Sequence, residues 1–125
     1  MKFIVTLLLF FAVHIPLANA QVNYSEDIAP IIYNNCTSCH RAGEIGPMPL
    51  TNYEEVSTWG GMIEYVTAIK YMPPWKPNKE YSHFVGERGL TEAEIQLISD
   101  WVAAGTPQGD PSQEPPLPNF LMVRN

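Results

Sequence analysis

The chain is poor in cysteine, in basic residues and in long apolar runs, and each scarcity excludes something. Two cysteines in 125 residues cannot build a multi-disulfide framework. Seven Lys and Arg face 13 Asp and Glu, a formal net charge of −6. Nucleic-acid binding wants a basic face, so nucleic acid is not the expected partner. No internal repeat and no charge run is present. No segment alternates apolar and polar residues as a half-buried strand would.

The longest apolar run, Phe3 to Val13, is broken only by Thr6 and has 11 residues. A bilayer core takes roughly 20 residues, so the run is too short to span one. Lys2 precedes it, and Ala18-Asn19-Ala20 supplies small residues after it. This is the grammar of a secretory signal peptide. The expectation is cleavage after Ala20, export to a periplasm, and no stable membrane insertion of the mature chain. In that compartment the two cysteines are expected to be oxidised or otherwise occupied.

What the chain has in excess is proline, 12 residues, about twice the usual share. Between the prolines three segments read as helices. The first starts near Ser25 or Asp27, either able to cap it. It carries Ile28, Ile31, Ile32 and Asn35 at helical spacing, with Pro30 in the first turn if Asp27 caps. The second opens with a capping box, Thr51 to Glu54, and repeats Val56, Trp59, Ile63, Val66 and Ile69. Gly60-Gly61 weakens it, by about 1 kcal/mol per glycine, and lets a ring or backbone come close. Lys70 sits in its last turn and Pro73-Pro74 ends it. The third opens with Thr91 to Glu94, carries Ile95, Ile98, Trp101 and Val102, and stops at Gly105 before Pro107.

The remainder reads as loop. Residues 107–125 read as a proline-rich tail, extended and poorly packed, ending in the apolar Phe120 to Val123. The class is therefore all-α with three main helices and long loops. Helices this short bury little apolar area, and a domain this small is marginal alone. The sequence asks for a large apolar cofactor or a metal to complete its core.

Cys36-Thr37-Ser38-Cys39-His40 supplies the chemistry. It is the c-type haem attachment pattern. Two thiols three residues apart at a helix end can each bond one vinyl group of a porphyrin. The adjacent His40 is then placed to put Nε2 on the iron. Three other chemistries use cysteines at this spacing. A thioredoxin-like dithiol wants a βαβ setting, which is absent. A structural zinc site wants two more ligands, and His83 is the only other histidine outside the leader. A simple disulfide remains open.

With that motif, a proline-bearing loop, a middle helix, Met72-Pro73-Pro74-Trp75 and a last helix beginning Leu90-Thr91, the chain resembles a small bacterial class I cytochrome c. The resemblance covers residues 24 to about 106. It implies a cytochrome c-like fold around one covalently bound haem c, with residues 1–20 as leader, 21–106 as the cytochrome domain and 107–125 as tail. It also implies a Gly-Pro segment whose proline carbonyl accepts the histidine's second N–H, a role that falls on Pro47 here.

The sixth ligand is open among Met72, Met48, Met62 and His83. Met72 is favoured, because Pro73-Pro74 stiffens its loop and the family's ligand methionine lies in a similar place. Trp59, Trp75 and Trp101 are aromatic bulk, Trp101 packing on the first helix and Trp75 at the haem edge. Tyr71, Tyr81, Arg41, Lys76 and Lys79 are candidates to meet a haem propionate. The expected function is single-haem electron transfer with His40 and Met72 as axial ligands, without a substrate of its own. The acidic balance implies redox partner proteins with a basic docking patch. The alternative is a five-coordinate haem that binds a diatomic gas or a peroxide.

Overall fold

A computed structural model describes residues 21–74 and 89–120. Residues 1–20, expected to be a leader, fall outside it, as do Trp75, Lys76, Lys79, Tyr81, His83 and the last five residues. Among the described residues the elements are helical and no strand occurs. A π-helical turn, Tyr24–Ile28, runs into α1, Ala29–Asn35. Then come α2, Tyr53–Thr58, α3, Gly60–Ala68, and α4, Glu92–Ala103. A short 3-10 turn, Pro111–Gln113, follows.

The first helix starts earlier than its apolar spacing suggests. Asn23, not Ser25 or Asp27, is the cap: its side chain accepts from the Glu26 N–H at 3.0 Å, and Asp27 accepts from the Asn23 N–H at 2.8 Å. Pro30 then lies beyond the first turn. The Ile28 N–H reaches back five residues to the Asn23 carbonyl, widening the turn ahead of the proline. The N–H groups of Tyr24 and Ser25 have no partner inside their own helix. They donate to the carbonyls of Pro107 and Gln108, both at 2.9 Å.

That pairing corrects the reading of the tail. Residues 107–120 are not loose. The Pro107 carbonyl also accepts from Trp101 Nε1 at 3.0 Å, and the Gln108 carbonyl from the Ser25 hydroxyl at 2.9 Å. Asp110 caps the 3-10 turn through the Ser112 N–H. Tyr33 donates to the Glu114 carboxylate, and the Phe120 ring lies over the Arg41 guanidinium. The segment is a strap laid across the first helix.

The second expected helix is two helices. Its cap is Asn52, accepting from the Glu55 N–H at 3.0 Å. Thr51 instead donates its N–H and hydroxyl to Glu55, each at 2.7 Å. The chain leaves helical geometry at Trp59, whose ψ is 9°. The break shifts the buried face to Val56, Gly60, Ile63 and Thr67. Trp59 and Ile69, expected inside, are 41% and 55% exposed. Gly60 is where α4 comes close: a Cβ there would lie 3.2 Å from Thr106 and 3.6 Å from the Trp101 ring.

The last helix matches its signals. Thr91 and Glu94 form the full capping box. Gly105, at φ +85°, closes it, with the Thr106 N–H on the Trp101 carbonyl and the Gly105 N–H on the Val102 carbonyl. The core lies between this helix and the first, where Trp101, Tyr24, Ile28, Ile32 and Ile98 are buried. The Tyr24 ring lies 6.2 Å from Trp101 and 5.4 Å from Tyr53.

Candidate haem-attachment site

Cys36 is the C-terminal cap of α1, so the motif starts where helical carbonyls lose their partners. The N–H groups of Cys39 and His40 both turn back onto the Cys36 carbonyl, at 3.1 and 2.9 Å. Thr37 is buried with its hydroxyl on the Ile32 carbonyl at 3.0 Å. The five residues therefore form a tight, pinned loop. The two cysteines are not joined as a disulfide.

The following loop wraps His40. The Gly46 N–H donates to the Cys39 carbonyl at 2.8 Å, and the Leu50 N–H to the His40 carbonyl at 2.9 Å. A Cβ at Gly46 would stand 2.6 Å from the Cys39 carbonyl oxygen and 2.7 Å from His40 Nδ1. Only glycine allows this approach. His40 Nδ1 lies 3.1 Å from the Met48 carbonyl. A carbonyl only accepts, so Nδ1 is the donor, and it is Nε2 that carries the lone pair in the neutral ring. The carbonyl expected from Pro47 is thus supplied one residue later, by Met48. Pro47 instead lines the cavity that His40 faces. Spacing alone could not separate two adjacent carbonyls in a Pro-Met-Pro turn.

That cavity has a volume of about 780 Å³, measured out to its open mouth. Its lining is mostly apolar, as is usual for ligand sites. Cys36, Cys39 and His40 line one side, with Pro47, Met48 and Leu50. Met62, Ile63, Val66 and Thr67 of α3 line the other, continuing into Tyr71, Met72, Pro73 and Pro74. The end of α3 delivers Met72 to this wall. Lys70 turns left-handed at φ +57°, and the N–H groups of Tyr71 and Met72 both meet the Val66 carbonyl, at 2.9 and 3.1 Å.

All four residues expected to bind the cofactor through sulfur or nitrogen, Cys36, Cys39, His40 and Met72, therefore share one cavity. Met48 and Met62 share it too. Tyr71 lines its edge and is 66% exposed. Arg41 is turned away from the role expected for it, toward Glu44 and the motif's own carbonyls. Burial, then the neighbouring Cys39, pushes the Cys36 thiol up to about 12. A redox dithiol works through a lowered thiol pKa, so this is the opposite environment. Among the described residues, no group of three or more His, Cys, Asp or Glu is arranged to hold a metal ion, as a zinc site would require.

Comparison with known proteins found no matching family model, no similar curated protein and no similar solved structure.

Proposed function

We propose that this chain is an exported electron-transfer protein with a cytochrome c-like fold and one covalently attached c-type haem. The observation that carries the reading is the convergence of Cys36, Cys39, His40 and Met72 on one apolar cavity, with His40 Nδ1 already engaged. The two thiols would anchor the ring, and His40 Nε2 and the Met72 thioether would hold the iron. The haem supplies a one-electron ferric–ferrous couple, whose ferrous state a thioether ligand favours.

The chain's own part is to fix that environment. The Met48 carbonyl sets the His40 tautomer, and Gly46 lets the loop close on the ring. Because Met48 holds the Nδ1 side of the imidazole, its backbone lies away from the direction of Nε2. This favours Met72 over Met48 as the sixth ligand. Pro73-Pro74 stiffens the Met72 loop. The apolar lining disfavours net charge at the site. No helix among the described residues is long and apolar enough to cross a membrane. Acidic side chains far outnumber Arg41 and Lys70 there, and both cations are paired with glutamates. This supports a redox partner with a basic docking patch, met at a rate that falls with salt.

The test is the visible spectrum of the exported protein, oxidised and reduced, before and after carbon monoxide. A covalent haem spectrum untouched by carbon monoxide is expected, and Met72→Ala makes it responsive. A wild-type spectrum that responds transfers the reading to a gas- or peroxide-binding haem. No haem signal overturns both.

A further inference from the structure

The guanidinium of Arg41 is held from four directions. Its Nη1 donates to the carbonyls of Thr37 at 3.2 Å and Ser38 at 2.6 Å. Its Nη2 pairs with Glu44 at 2.8 Å. The Phe120 ring covers Cζ at 4.0 Å. Thr37 and Ser38 are the two residues between the cysteines, so the fork grips the span that sets the distance between the thiols. Phe120 belongs to the strap, which joins the first helix at Pro107, Gln108 and Glu114 before arriving at Arg41.

We propose that Arg41 is a positioning residue of the attachment site, clamped by Phe120, and that its fixed charge raises the reduction potential of the haem. The inference rests on the proposed haem function. Its physical content is simple. Ferric haem carries one more positive charge than ferrous haem, so a nearby cation disfavours the ferric state. A guanidinium bonded through Nη1 to two carbonyls and through Nη2 to Glu44 keeps that cation in one place. An aromatic face over the guanidinium removes water and weakens screening. Glu44 opposes the effect, but its side chain is 35% exposed against 21% for Arg41, so water screens it more. The strap is then an arm of the haem site.

Two readouts test this in the exported protein: the midpoint potential, and hydrogen exchange of the Cys39 and His40 amides. Arg41→Gln lowers the potential and speeds exchange at both amides. Glu44→Gln raises the potential. Arg41→Lys keeps most of the potential but not the protection, because charge survives and the fork does not. Phe120→Ala lowers the potential by less than Arg41→Gln and makes it more salt-dependent. A purely structural role would move the two glutamine variants in the same direction or leave the potential unchanged, and either result overturns the tuning. If Arg41→Gln fails to load haem, Glu44→Gln and Phe120→Ala still decide it. Unchanged amide exchange in Arg41→Gln overturns the positioning role whether or not haem is attached, so this failure is distinct from absence of haem in the wild type.

Discussion

The two sides of the first helix are built on different terms. One side faces α4 and the strap and is closed: Tyr24, Ile28, Ile32, Ile98 and Trp101 have essentially no exposure. The other side passes the cysteines and opens onto the cavity, which apolar side chains from α3 also line. Met62 and Tyr71 on that side are 50% and 66% exposed. Among the described residues the closed side is a packed core and the open side a partly exposed apolar lining. The difference makes the closed side the seat of the chain's own stability.

Mutations should separate the two sides. Trp101→Ala should cost the most, about 3–5 kcal/mol in denaturant unfolding, because it empties the closed core and drops the Nε1 bond to Pro107. Tyr33→Phe should cost about 1–3 kcal/mol, since the buried Tyr24 hydroxyl loses its acceptor and Glu114 its donor. That variant should also change the alkaline limb of stability. Burial, then the bond to Glu114, pushes the Tyr33 phenol up to about 12 from 10.0. The unfolded chain therefore loses this proton first as pH rises. The stability linked to Tyr33 is complete below pH 10 and drains away toward about pH 12, and Tyr33→Phe should shrink that loss in unfolding midpoints measured across the range.

Gly109→Ala should cost about 1–2 kcal/mol, because φ is +78° and the new Cβ would meet the Asn23 side chain at 2.3 Å. Met62→Ala, on the open side, should cost less than about 1 kcal/mol in haem-free protein. A Met62 cost comparable to that of Trp101 would show that the two sides are not distinct.

The parts legible in the sequence are those governed by neighbours in the chain. Thr91 and Glu94 cap α4 because the box needs only three residues of spacing. Gly105 ends α4 because only its own backbone is involved. The attachment motif and Met72 reach one cavity because short elements carry them there. The parts missed depend on choices that spacing cannot make. Thr51–Glu54 reads as a box, but Asn52 takes the cap one residue later and the Glu55 carboxylate turns back to Thr51. Ser25 and Asp27 looked like caps, but Ser25 is committed to Gln108 and Asp27 to the Asn23 N–H. The break at Trp59 rotated the face beyond it, which moved Trp59 and Ile69 outward. The prolines after Pro107 suggested an unpacked tail, since nothing local shows that a distant helix needs their carbonyls.

The bond from Ser25 to Gln108 joins residues 83 apart in the chain. Closing a loop of that length carries an entropic cost of about 4 kcal/mol before any contact is gained. The start of the first helix therefore cannot settle until nearly the whole domain has been made. High contact order slows folding. The delay keeps the segment around Cys36 and Cys39 within reach for longer. For the proposed haem attachment, that delay is time in which both sulfurs stay open to reaction.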